Sequence, residues 1–457
     1  MKWTKSLLLA PATFALVLLA ACGNSGNSRA PAVEANMGSV GSGAGPARAS
    51  ARGPSAPTRP TTAAASRSGS GASPAAGHAP PLIRGIYLNA YAAGGHQRLH
   101  ELLAIADRTE INTFVVDVKD ERGPHYTSQI AQVQQLTQPG QNTLRDLKAL
   151  TDTLHAHQVY AVARIVVFKD PILSRVRPEW SIRKADGGLW TDKKGNTWVS
   201  AWDRDVWNYN IEIGEEAARA GFDEIQFDYV RFPEPFPSLP PQVHPEAKGD
   251  RTDAIVAFLD EARQRLHPLG VAVAADVFGL SPADGDDISI GQQWERLVAA
   301  ADHVLPMVYP SHFLPTHLPS DPHPNRAPGQ TVFEALGLGD IRVDRLAQAG
   351  VGGTARIIPW LQAFSAPWVD HNFTYGPEQA REQIEAAYRT GHDDWIFWHP
   401  GAKYELVAAA FGPKPAQHHA QKFQPTPELI AYANLIETRG AKAARVALAG
   451  KKVAVRR

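Results

Sequence analysis

"GFDEIQFDYVRFPEP", Gly221–Pro235, is the stretch on which the fold turns. Phe222, Ile225 and Phe227 form an apolar run that reads as a buried strand, yet charged residues interrupt it and it ends on Asp228 and Arg231. Pro233 and Pro235 then stop any continuation, because proline lacks the N–H a strand needs. A core strand that delivers a carboxylate and a guanidinium at its own end belongs to a parallel sheet with polar groups along one rim. The prolines are expected to stiffen the exit and hold Asp228 in place.

Working outward, seven more β-rich runs flank this one: "IRGIYLNA", "TFVVDVKD", "YAVARIVVF", "VAVAADVFG", "HVLPMVYP", "ARIIPWLQAF" and "DWIFWHP". Helical patterns separate them. Leu99, Leu102, Leu103 and Ala106 keep the helical period, as do Trp294, Leu297, Val298 and Ala301. Eight strands alternating with helices predict a (β/α)8 TIM barrel over residues 81–412. An open doubly wound sheet is the alternative. It calls for a Gly-rich phosphate loop after the first strand, and "LNAYAAGGHQ" is a poor one. Two connections exceed simple turns: Lys169 to about Asp205, with four tryptophans, and Pro310 to about Arg342, rich in Pro and His.

The ends of the chain have a different texture. Lys2 and Lys5 precede the apolar run Leu7 to Ala20, which closes on "LLAAC" at Cys22, the single cysteine of the 457 residues. Basic start, short apolar stretch and small residues before the cut make residues 1–21 a signal peptide rather than a membrane span. Leu19-Ala20-Ala21-Cys22 resembles the bacterial lipobox, which implies lipidation at Cys22 and a membrane anchor. Gly23, where the sorting rule looks for aspartate, points to an outer membrane. Residues 22–80 are Gly, Ala, Ser, Pro and Arg with almost no large apolar side chains, and cannot repay their ordering entropy. They read as a disordered N-terminal tether with a reach of about 40 Å. Residues 413–457 turn polar and then basic; "TPELIAYANLIETRG" suits one helix, and the rest reads as a tail.

Composition bounds the function. A hydrophobic content of 44%, 20% charged residues and a formal net charge of +0 describe a globular core with no global attraction for nucleic acid. The 17 histidines are scattered without metal-ligand spacing, so neither a metal nor another cofactor is expected. Oligomeric state is not legible.

A barrel carries its chemistry at the C-terminal ends of its strands. Those ends read Asn89; Asp117 with Lys119 and Asp120; Arg164; Asp228 with Arg231; Asp276; Tyr309; Gln362; and His399. A single aspartate in such a place is more often a cap or an ion-pair partner than a catalyst. Carboxylates on strands two, four and five together are harder to explain that way.

"GFDEIQFDYVRFP", with "VVDVKDERG", "ADVFG" and "PMVYPSH" in order, resembles the DUF4015 group of TIM-barrel glycosidases over about Arg84 to Pro400. The resemblance implies glycoside hydrolysis, with Asp228 at the position of the strand-four carboxylate. Such cleavage needs one ionised and one protonated carboxyl flanking the bond. Asp228 is then the nucleophile or stabilising carboxylate, kept ionised by Arg231. Asp276, in an apolar setting, is the general acid, and Asp117 its alternative. Arg231, Arg164, Tyr309 and His399 are candidates for holding the polysaccharide, and Trp198 and Trp202 offer flat faces to sugar rings, although about half of the loop tryptophans are expected only to pack. The expectation is a lipid-anchored cell-envelope glycosidase. A non-catalytic glycan-binding lipoprotein and a polysaccharide deacetylase are the alternatives.

Overall fold

The computed structural model describes residues 79–136, 142–320, 323–438 and 440. The expected signal peptide, Cys22 and nearly all of the expected tether lie outside the described residues. No helix among those described is long and apolar enough to cross a membrane.

All eight expected runs form strands: β1 (Arg84–Leu88), β2 (Thr113–Asp120), β3 (Tyr160–Val166), β4 (Glu224–Asp228), β5 (Ala272–Phe278), β6 (His303–Met307), β7 (Trp360–Gln362, preceded by a two-residue piece at Arg356–Ile357) and β8 (Trp395–Trp398). Successive strands pair in parallel, and β8 pairs with β1 to close the barrel. The open-sheet alternative is thereby excluded. Helices connect them in turn: α1 (His96–Arg108), α2 (Leu147–Ala156), α3 (Arg204–Arg219), α4 (Arg251–Leu266), α5 (Trp294–Leu297), α6 (Pro328–Gln348) and α7 (Pro377–Arg389).

The mixed character of the opening stretch follows from the period-two alternation of a strand. On β4, Ile225 and Phe227 belong to the large apolar cluster between barrel and helices, where Phe227 packs edge-on against Phe258 of α4 at 5.0 Å. Glu224, Gln226 and Asp228 alternate with them and so face the barrel interior. That interior has its own apolar plug, with Tyr87, Val115, Val162, Ala274, Leu305 and Trp360 among its members. Near the N-terminal end of the barrel Glu224 is satisfied by His303 Nδ1 at 2.8 Å and the Tyr160 hydroxyl at 3.2 Å. The glycine of "ADVFG" has a steric reason. A Cβ on Gly279 would lie 2.2 Å from the Met307 carbonyl oxygen, so only glycine lets the rims of β5 and β6 approach.

Three expectations about connections change. The segment from Pro310 to Arg342 is a loop only as far as Pro328, where proline opens the 21-residue α6. The helix around Trp294 is a single turn. Beyond residue 412, residues 427–438 form the helix expected there, but it is not solvated: Leu429, Tyr432, Ala433 and Ile436 are buried in the main cluster, while residues 413–426 stay largely exposed. Phe423 and Leu429 pack on Gly337 of α6, and the Tyr432 hydroxyl donates to the His317 carbonyl at 3.2 Å. Their apolar residues are three or four apart, a helical stripe hidden by a polar surround.

Candidate active site

Arg164, from β3, organises the C-terminal mouth. Its Cα partner across the β2–β3 ladder is Asp117, and on the other side Val166 is in register with Asp228. The guanidinium therefore lies between two strand-end carboxylates. It donates from Nη1 to Asp117 Oδ1, and from Nε and Nη2 to Asp228 Oδ2, with Nε–Oδ2 at 3.1 Å. Asp276 Oδ2 stands 3.8 Å from the same Nε. One cation thus gathers the three carboxyls that the sequence singled out. It also lies 5.6 Å from the centroid of the Tyr87 ring, whose hydroxyl donates to Asp117 Oδ2.

The three carboxyls have different surroundings. Asp276 is 1% exposed; its Oδ1 accepts from Gln226 Nε2 at 2.7 Å and Trp360 Nε1 at 2.6 Å, while Oδ2 has no hydrogen-bond partner among the described residues. Burial pushes Asp276 well above the usual carboxylate range, repulsion from Asp228 adds to this, and Arg164 only partly opposes it. Burial also raises Asp117, against the pull of Arg164. Burial works against the Arg164 charge, but Asp117 and Asp228 more than offset it, so the guanidinium stays protonated. Three carboxyls surround one guanidinium, and Asp276, the most deeply buried, is the one most strongly pushed toward its protonated form.

Asp228 is held by its own backbone. Tyr229 follows it with φ +50°, a left-handed conformation unfavourable for an aromatic residue, and the Tyr229 N–H donates to Asp228 Oδ1. Local strain of this kind costs about 1–3 kcal/mol and persists only where packing enforces it. Here the Tyr229 ring lies edge-on to Trp198 at 5.7 Å, with the Lys169 ammonium 4.5 Å from its centroid. The turn at Tyr229, ahead of Pro233, is what aims the carboxylate.

The other expected residues divide. Tyr309 stacks on Trp398 at 5.5 Å, and burial, then Asp276 and Asp228, raise its hydroxyl well above its ordinary value. It therefore stays a neutral hydrogen-bonding phenol beside the carboxyls. Arg231 does not serve Asp228: it pairs with Glu234 at 3.3 Å, donates to the Phe232 carbonyl, and lies over Phe278 at 4.4 Å. The guanidinium on Asp228 is that of Arg164. Trp198 is 1% exposed, and its indole N–H is turned to Asp192, so it offers no face to a sugar. Trp202 is half-buried against Phe232 and His244. His399 accepts from the Gly401 N–H through Nδ1, and burial together with Lys403 lowers it to about 4. Asn89 caps the turn at Ala92, and Gln362 binds the Ser311 N–H and the Phe364 carbonyl, so both are structural. Lys119 and Asp120 bond to Asp170 and to Arg122 with His125, respectively.

Sequence reasoning passed over Tyr87, Gln226, Trp360 and Trp398. Gln226 and Tyr87 could have been found by stepping back two residues from Asp228 and Asn89, since residues two apart share a strand face.

Comparison with curated protein sequences gives no match. Among solved structures, a hypothetical protein from Ruminiclostridium thermocellum ATCC 27405 is 36% identical over 42% of this chain and 97% of its own, with a TM-score of 0.38. The glycoside hydrolase domain of PgaB (BpsB) from Bordetella bronchiseptica is 14% identical, covers 73% of this chain and 99% of its own, and gives a TM-score of 0.53, a likeness of fold. The glycoside hydrolase domain of PelA from Pseudomonas aeruginosa aligns at 12% identity over 72% of this chain and 99% of its own, with a TM-score of 0.39. Residues 85–404 match the DUF4015 family, described as "Putative glycosyl hydrolase domain". That span holds all eight strands but the first residue of β1, together with Arg164 and its three carboxyls, and the chain belongs to this glycoside hydrolase family.

Proposed function

We propose that the protein hydrolyses a polysaccharide of the cell envelope by a two-carboxylate mechanism. The observation that carries this is the shared guanidinium of Arg164, which keeps Asp228 paired beside a buried Asp276 that desolvation pushes well above the usual carboxylate range. Asp228 is the carboxylate that attacks or stabilises the oxocarbenium-like transition state. Asp276 is the general acid in preference to Asp117. Both Asp117 oxygens are engaged, by Tyr87 and by Arg164, whereas Asp276 Oδ2 is unbonded among the described residues and can carry the proton. With 1% exposure, Asp276 gives that proton only to a glycosidic oxygen that has displaced solvent and settled deep in the mouth.

Asp228 Oδ2 and Asp276 Oδ2 lie 3.1 and 3.8 Å from the same nitrogen, so they are no farther apart than those distances laid end to end. That limit falls close to the boundary between the about 5–5.5 Å of retaining enzymes and the about 6.5–9.5 Å of inverting ones. We favour retention, because the limit applies to a straight line and any bend at the nitrogen shortens it. The cell-envelope setting is supported by the order of basic residues, apolar run and Cys22 in the sequence. The test is to incubate the full chain with bacterial exopolysaccharides and peptidoglycan and measure new reducing ends. Binding without new ends would favour the glycan-binding alternative.

A further inference from the structure

Beside the mouth, the loop after β6 and the loop after β7 enclose a groove of about 270 Å³ lined by residues 311–315, 323–326 and 368–370. None of its residues takes part in the carboxyl cluster. Its lining combines three features. Trp368 is 40% exposed, and its ring is held parallel to Phe364, with centroids 6.1 Å apart and 18° between planes. Asn325 is 6% exposed, yet neither its side-chain oxygen nor its nitrogen has a hydrogen-bond partner among the described residues. Its backbone is nevertheless fixed, since the Tyr375 hydroxyl donates to the Asn325 carbonyl at 3.1 Å. Arg326 and Asp370, also in the lining, pair with each other at 2.6 Å and leave little net charge.

A buried amide with both donor and acceptor unsatisfied is costly unless a ligand or water completes it. An exposed indole supported from behind is a rigid apolar platform. Together they match a pyranose, which has one face of C–H bonds and hydroxyls at its edges that both donate and accept. The groove is also joined to the carboxyls by an unbroken series of rings. Trp398 contacts Tyr87 at 6.0 Å, Tyr309 at 5.5 Å and Phe364 at 5.2 Å, and Phe364 carries Trp368.

We propose that this groove is a distal subsite for an uncharged sugar residue, with Trp368 as its stacking platform and Asn325 as its hydrogen-bonding group, so that the enzyme grips a glycan of several residues and cuts within the chain. This rests on the glycosidase reading above and extends it to the length of the substrate. The charge balance of Arg326 with Asp370 is the reason for an uncharged residue.

Saturation-transfer NMR of the full chain with cellotetraose, maltotetraose, laminaritetraose and chitotetraose tests it. Transfer to at least one is expected, retained in Asp228→Asn and weakened about tenfold in affinity by Trp368→Ala and by Asn325→Ala. Trp368 is exposed enough that its loss leaves the fold intact, and it decides the matter if the Asn325 variant misfolds. No transfer from the wild type to any of the four, or unchanged affinity in Trp368→Ala, overturns the subsite. If Asp228→Asn still cleaves glycan while Trp368→Ala loses binding, the catalytic assignment fails and the subsite stands.

Discussion

Replacing Arg164 by leucine is the sharpest test of the site's electrostatics. Arg164 is the guanidinium between Asp117 and Asp228, all three side chains being 12% exposed or less. Truncating it leaves two carboxyls buried without their cation, and breaking a buried pair from one side costs about 3–5 kcal/mol. Against the about 5–15 kcal/mol that holds a domain together, such a loss is severe but survivable. The deficit should depend on pH, and its sign follows from Asp117, which burial already raises against the pull of Arg164. Withdrawing that pull raises it further. A carboxyl whose folded-state value is raised contributes stability that is fully present below its unfolded value of about 3.9 and is lost as pH rises through the folded value. The variant should therefore approach wild type near pH 4 and fall progressively behind toward neutrality. Urea denaturation across that range, followed by tryptophan fluorescence, measures it. A deficit below about 1 kcal/mol at pH 7, or one that does not shrink on acidification, would refute the claim that Arg164 holds ionised carboxylates.

Four further outcomes follow from the same geometry. Asp228→Asn should lower hydrolysis by several orders of magnitude with circular dichroism unchanged, since asparagine keeps the shape but not the charge and each 1.36 kcal/mol is about tenfold; near-normal release of reducing ends would move the role to Asp117. Asp276→Asn should abolish cleavage of natural glycan yet spare an activated aryl glycoside that needs no protonated leaving group, while wild-type cleavage of natural glycan should fall on the alkaline side as Asp276 loses its proton; equal loss on both substrates would argue against an acid. Proton NMR of the first-formed product should show the anomeric configuration of the substrate retained, and inversion would mean a water lies between the carboxyls. If Cys22 carries a lipid anchor, as the lipobox-like run suggests, Cys22→Ala should end incorporation of a fatty-acid probe while leaving glycan hydrolysis intact, and continued labelling would disprove that anchor.

The barrel was legible because each strand carries a local signal, a short run rich in β-branched and aromatic residues that ends in polar ones. The pairings inside the mouth were not. Arg231 is three residues from Asp228 in the chain, but the left-handed turn at Tyr229 redirects the backbone between them, and Arg231 ends on Glu234. Arg164 is 64 residues away and reaches Asp228 because β3 and β4 run in register. Sequence proximity is a poor guide wherever a strand ends in a strained turn. Burial was equally hidden for the tryptophans: Trp198 sits in a loop rich in polar residues, and only the packing around Tyr229 shows that it supports Asp228 from behind. Its contribution is to geometry, through the residue that follows the carboxylate.

The mouth reconciles two demands that conflict in a protein interior. Buried carboxylates are costly, and a glycosidase needs at least one of them charged. A separate cation for each aspartate would satisfy the cost and leave no proton to donate. A single guanidinium shared unequally meets both demands. It contacts Asp117 and Asp228 directly but stands 3.8 Å from Asp276, which relies on the neutral donors Gln226 and Trp360. Asp276 thus receives orientation without full charge compensation, and burial then favours its protonated form. In the proposed mechanism the two roles are set apart by burial of Asp276 and by its greater distance from the shared guanidinium, both fixed by the register of three neighbouring strands. Adding a Cβ at Gly279, where it would meet the Met307 carbonyl, would push the β5 rim that carries Asp276 away from β6 and should disturb that division of labour.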